Sequence, residues 1–207
     1  MVKKNVNLIV GYGGNGHTYL MRFLLEKITM NNKNNNDGLK HMAYPNYDNK
    51  LLKRIRKCIF LYNDPFKSIK SHMRRNYIYQ HVMHMNNPFN IDLSLLNMKD
   101  LNNKNKLINL TVKHGEDIFG IKQQFDNWIN SNCDFPILFL DFNDILKEKN
   151  KINKFLNIDI DWSGFEIKKK RTYFKFTNNK EFKKIYEDLY EYIKNKSNEY
   201  NKKYNDL

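Results

Sequence analysis

"LIVGYGGNGHTYLMRFL", residues 8–24, joins an apolar run to a glycine-rich turn and then to a helix-spaced segment. A short apolar run ended by glycines reads as a buried strand. Beyond the turn, Leu20, Phe23, Leu24 and Ile28 recur at helical spacing. A strand, a glycine turn and a helix N-terminus make an anion site from backbone alone. Unpaired N–H groups and the positive end of the helix dipole face the ligand. Gly13, Gly14 and Gly16 let the chain approach oxygen atoms closely, and Thr18 adds a hydroxyl in the first helical turn. Residues 11–18 spell GYGGNGHT, the phosphate-loop spacing G-x-x-x-x-G-K-[ST] with His17 in the lysine position. Histidine is shorter than lysine and mostly neutral at pH 7, which argues against ordinary ATP hydrolysis.

Outward from this unit, strand and helix patterns alternate. Residues 6–10 form the first strand and 17–30 the first helix, followed by an exposed polar loop over 31–38. A second short strand is expected within 38–45 and a short helix within "YDNKLLKRIRK" (47–57). "KCIFLYNDP" (57–65) is another apolar run closed by a turn signal, and Pro65 opens a helix running toward His84. Residues 85–114 show no clean period. A helix follows over 115–132, then the strongest strand, "FPILFLDF" (135–142), a helix over 143–158, and a long charged helix over 179–207. Strands alternating with helices imply an α/β class: one domain over 1–207, in three layers, with a central parallel sheet flanked by helices.

Composition narrows the partners. The formal net charge is +14, yet the basic residues are spread along the chain without a dense block. Nucleic acid, an anionic membrane surface and a small anionic ligand compete as partners, and the spread of charge weakens the first. Asparagine fills about a sixth of the chain, so surface Asn and Lys are read as coding bias and given little weight. Cys58 and Cys133 lie far apart without metal-ligand spacing, so no metal is expected. No apolar run approaches the ~20 residues of a membrane span, and the first residues leave no room for a signal peptide. A soluble, cytoplasmic protein is expected.

Three further stretches give the loop an owner. "GGNGHTYL" (13–20) aligns without a gap to the 5′-phosphosulfate loop P-K-S-G-T-T-W-L of the sulfotransferases. Gly16, Thr18 and Leu20 match, Tyr19 stands for the aromatic and Asn15 for the serine. "IFLYNDPFKSIKSHMRR" keeps Asp64, Pro65 and Ser71 in the spacing of that family's 3′-phosphate motif. "FPILFLDFNDILKEKNKINKFLNI" (135–158) copies the shape of its strand–Y-E-D-L–helix segment, with Trp128 upstream. "LKHMAYP" (39–45) is similar to the segment carrying its catalytic base.

The chain thus resembles a divergent sulfotransferase over about 150 residues. The resemblance implies a P-loop-type fold and transfer of a sulfuryl group from 3′-phosphoadenosine 5′-phosphosulfate (PAPS) to a hydroxyl of a carbohydrate or small molecule. Adenosine 3′,5′-bisphosphate would be the product. It implies His41 as the base, with Gly13, Gly14, Asn15, Gly16, His17, Thr18, Tyr19, Asn63, Ser71 and Arg171 around the donor. Two family charges are missing, since its loop lysine is Gly14 here and its 3′-phosphate arginine is Asn63. His17, Arg22, Lys40 and the basic residues 168–171 are candidates to replace the first, and Lys67, Lys70, Arg74 and Arg75 the second. The alternatives are an anion- or nucleotide-binding module of the same fold without catalytic charges, and another phosphate-loop enzyme such as a small kinase with Asp141 on magnesium.

Overall fold

A computed structural model describes residues 5–46, 50–78, 81, 103–167 and 177–204. Three parallel strands, β1 (Val6–Val10), β2 (Ile55–Tyr62) and β3 (Ile137–Asp141), form a sheet in the order β1-β2-β3. The register pairs Leu8 with Cys58 and Cys58 with Ile137, so all three C-terminal ends lie on one side.

Alternation along each strand splits the core in two. Leu8, Cys58, Phe60, Ile137 and Phe139 point to one face. There they meet α2 (Pro65–Arg74), α3 (Lys104–His114), α4 (Ile121–Ile129) and α6 (Lys180–Tyr204). Ile9, Ile59, Leu61, Leu138 and Leu140 point to the other, against α1 (His17–Leu24) and α5 (Lys149–Leu156). Leu20, Met21 and Leu24 of α1 are fully buried there, worth about 1.5–3 kcal/mol each. The α/β class with helices on both faces of a parallel sheet is as expected.

Both free edges of the sheet are closed by an asparagine. Asn31 Oδ1 accepts from Ile9 N–H at 2.9 Å while its Nδ2 donates to the Ile9 carbonyl at 3.1 Å. On the far edge Asn201 does the same to Phe139, at 3.0 and 2.7 Å. Each amide stands in for a neighbouring strand and removes an edge that would otherwise invite pairing. Asn31 is therefore buried rather than part of the exposed loop assigned to 31–38.

Several boundaries depart from the sequence expectation. Residues 38–45 form no strand, because their backbone is engaged elsewhere: the Lys40 carbonyl accepts from Gly11 N–H, and the Met42 carbonyl from Gln124 Nε2 and Trp128 Nε1. The helix expected over 47–57 is reduced, among its described residues, to one 3-10 turn at Leu52–Arg54, since Ile55 already pairs with Val6 in the sheet. Helix α2 stops at Arg74, where Asn76 turns to φ 52°; helical structure resumes at Ile78 and His81, whose N–H donates to the Tyr77 carbonyl, and the other residues toward His84 lie outside the described residues. Conversely, α3 rises from a stretch without readable period, capped by Asn103 at its start and by Gly115 in the left-handed region at its end. It buries only Leu107, Ile108 and Thr111, too few positions to leave a clear stripe.

Candidate functional site

At the C-terminal ends of the strands, a cavity of about 770 Å³ opens over the glycine loop. It is lined by Gly13, Gly14, Gly16, His17, Thr18 and Tyr19 from the loop and α1, and by Lys40 and His41 from the crossing strap. Ser71, His72, Arg74 and Arg75 enter from α2, with Tyr77 and His81 beyond it and Phe142 after β3. Its size suits a nucleotide. Among the described residues that line it there are three cations, four histidines and no carboxylate.

The loop leaves several backbone amides at the start of α1 without an acceptor. No backbone hydrogen bond is donated to another described residue by the amides of Gly16, His17 and Thr18, at the start of α1, where helix N–H groups lack intrahelical acceptors. Gly14 sits at φ +87°, and a Cβ there would stand 3.1 Å from the Ser68 carbonyl oxygen. A lysine cannot occupy this position without strain.

A cation reaches the loop from the strap. Lys40, 8 % exposed, places Nζ 2.8 Å from Thr18 Oγ1 and 2.7 Å from the Lys33 carbonyl oxygen. Burial holds its ammonium below the ordinary lysine value, with Arg75 and Arg22 adding to the effect and Asp37 opposing it. Arg22 itself does not line the cavity. The next residue, His41, has Nδ1 2.9 Å from the Gly11 carbonyl oxygen. A carbonyl only accepts, so Nδ1 carries the proton and Nε2 the basic lone pair. The Met42 carbonyl takes hydrogen bonds from Trp128 Nε1 at 3.0 Å and Gln124 Nε2 at 2.8 Å, which holds the strap in place. Trp128 thus acts through its indole N–H, at zero exposure.

Other expected residues fall outside the cavity. Asn15 is 3 % exposed and structural: Nδ2 donates to the Leu61 carbonyl and Oδ1 accepts from Ser68 Oγ. Asn63 does not line the cavity either; its Oδ1 accepts from Asp64 N–H and from Asn143 Nδ2, each at 2.8 Å. Asp64 caps α2 through Phe66 N–H at 3.0 Å. His17 is in the wall, but burial first, then His41 and Lys40, lower its pKa well below the ordinary value. It is neutral and no substitute for lysine. Tyr19 borders the cavity with its hydroxyl donated to the Glu166 carbonyl. Ser71 lines the cavity beside Arg74 and Arg75, two residues expected on a solvated face. Arg171 and residues 168–170 lie outside the described residues.

Asp141, the candidate magnesium ligand, is 5 % exposed and already accepts from Tyr190 Oη and twice from Asn143. It does not line the cavity.

The sequence reading missed a contiguous histidine group. His17 meets His41 at 5.4 Å between ring centres, His41 meets His81 at 5.4 Å, and His81 meets His72 at 4.5 Å. The four come from separate parts of the chain, so no local spacing announces them. No family model matches the chain, and no curated protein or solved structure matches it significantly.

Proposed function

We propose that the protein is a sulfotransferase-like enzyme that transfers a sulfuryl group from PAPS to a hydroxyl of a carbohydrate or small molecule. One observation carries this reading: Lys40 and His41, adjacent on one strap, bring a cation and a basic imidazole to an anion-binding glycine loop. The free amides, three cations and absence of carboxylates in the described lining fit a polyanionic nucleotide. The donor supplies an electrophilic sulfur on a phosphate leaving group.

The residues divide the remaining work. His41 Nε2 takes the proton of the acceptor hydroxyl as its oxygen bonds to sulfur. The sulfur–oxygen bond to the phosphate breaks, and the amides of residues 13–18 with Lys40 Nζ hold the negative charge that develops there. Ser71 with Arg74 or Arg75 is suited to a second phosphate. Asp141 is tied up by Tyr190 and Asn143, which favours this reading over a magnesium-dependent kinase.

A binding module without turnover is favoured by Asn63, which is bonded to Asn143 where a phosphate-pairing arginine would serve the donor. Thermal shift separates the readings. Adenosine 3′,5′-bisphosphate at about 100 times its Kd adds ~2.7 kcal/mol of stability, whereas ATP–magnesium adds less. A response to ATP–magnesium alone refutes the sulfotransferase reading. Sulfate transfer abolished in His41→Ala, with bisphosphate binding kept, assigns the base; bisphosphate binding without any transfer assigns the module.

A further inference from the structure

His72 lies under the glycine loop and has no part in the chemistry above. It is 2 % exposed, lines the cavity, and neither ring nitrogen makes a hydrogen bond of good geometry, the Gly13 backbone being its one polar neighbour in the loop. A buried polar group without a partner calls for an explanation. Its position supplies one. A Cβ added at Gly13 would stand 2.6 Å from His72 Nε2, and one at Gly14 would stand 3.5 Å from Cδ2. The ring edge is therefore pressed against the loop backbone at Gly13 and Gly14, and Gly13 is glycine to admit it.

The groups around the ring lean one way. On its own helix Arg75 is cationic, and burial, the largest effect, with Arg75 holds the imidazole down to about 4 against a partial offset from the Gly13 backbone. From the loop Tyr12 meets the ring edge-on at 5.5 Å, with Asp117 acting on Tyr12 from behind. His81 stacks at 4.5 Å, and His41 of the strap reaches His81 in turn. In the ligand-free protein His72 is neutral. A polyanion on the loop reverses that balance, because opposite charge favours the protonated ring and ligand oxygens give its N–H groups acceptors.

We propose that His72 is a ligand-binding residue of the cavity, taking up one proton when a polyanion enters and donating it in a hydrogen bond to an anionic oxygen. This rests on the reading of the cavity as an anion site. The loop amides cannot change charge with pH; His72 can. Anion affinity then rises as pH falls, by up to about tenfold per pH unit for the one proton. His41 has the opposite requirement, since it must be unprotonated to act as base, so donor binding and turnover pull apart on the acid side.

The test is calorimetric titration of the full chain with sodium sulfate, which does not itself titrate in this range, and with adenosine 3′,5′-bisphosphate. Titrations run between pH 5.5 and 8 in buffers of different ionisation enthalpy. The expected result is net proton uptake with sulfate, tighter binding at low pH, and loss of both that uptake and the pH dependence of affinity in His72→Gln. The His72 imidazole resonance, followed by NMR with and without sulfate, reads the same event without a substitution; its midpoint rises. Sulfate binding without proton uptake, an unmoved midpoint, or full uptake in His72→Gln overturns the assignment while leaving the anion site standing. If neither ligand binds at any pH, the anion site fails and this inference with it.

Discussion

Lys40 Nζ stands 2.8 Å from Thr18 Oγ1, so the cation of this site reaches the glycine loop from a crossing strap and not from the loop itself. The ammonium is held by Thr18 on one side and the Lys33 carbonyl on the other, beside amides that have no internal acceptor. The position of the charge is set by the strap's own anchors, the Met42 carbonyl on Trp128 and Gln124.

Lys40→Met removes the charge and leaves Thr18 and the Lys33 carbonyl free to bond water. A hydrogen bond to a charged group is worth ~1.5–3 kcal/mol, so bisphosphate affinity should fall about 10- to 150-fold. Isothermal calorimetry reads this directly, and Lys40→Arg should recover part of the loss. An unchanged Kd removes Lys40 from the site.

Gly14→Lys restores the residue that the sulfotransferase pattern carries at this place, and it should not help. The position is at φ +87° with the Ser68 carbonyl 3.1 Å from any Cβ. We expect a loss of roughly 1–3 kcal/mol in stability and weaker bisphosphate binding, measured by urea unfolding and calorimetry. Tighter binding in the variant would show that the loop adopts the family conformation instead.

Asn31→Ala and Asn201→Ala each leave a buried strand N–H and carbonyl unpaired at a sheet edge. Each should cost about 2–4 kcal/mol, lowering Tm by roughly 2–4 °C per kcal/mol in a chain of this size. Because the two edges are separated by the whole sheet, the double variant should show the sum. Light scattering should reveal increased self-association as the edges open.

Stability should decline in acid because of His72. Its folded pKa of about 4 lies below the ordinary 6.5, so between these values the unfolded chain binds the extra proton. The contribution is complete above pH 6.5 and is lost as pH falls through 4, up to about 3 kcal/mol. His17 adds in the same direction, since burial lowers its pKa as well. Urea midpoints across pH 4–7.5 should flatten in His72→Gln relative to wild type, and saturating sulfate should flatten them too. Parallel curves for wild type and variant would remove His72 from the acid response.

The glycine loop, the strands at 6–10 and 135–142 and the C-terminal helix are legible because their signals are local. An apolar run bounded by glycines, or a sustained helical period, constrains its own backbone. The strap is not legible for the opposite reason. "LKHMAYP" has strand-like residues, but Gly11, Gln124, Asn127 and Trp128, far off in sequence, engage its backbone instead. Asparagine is common enough here to look like coding bias, yet Asn15, Asn31 and Asn201 are buried and bonded to backbone. Composition cannot tell a solvated amide from one that closes a sheet.

By itself the sequence determined the α/β class, an anion-competent loop after the first strand, and the absence of two charges from their usual places. All three follow from residue type and short-range spacing. Only the tertiary structure decided that Lys40 reaches Thr18 at the glycine loop, that Asn63 and Asn15 do not line the cavity, and that four histidines adjoin. Those depend on which segments of the chain are packed together, and that packing is set by burial across the whole sheet, not by any one stretch.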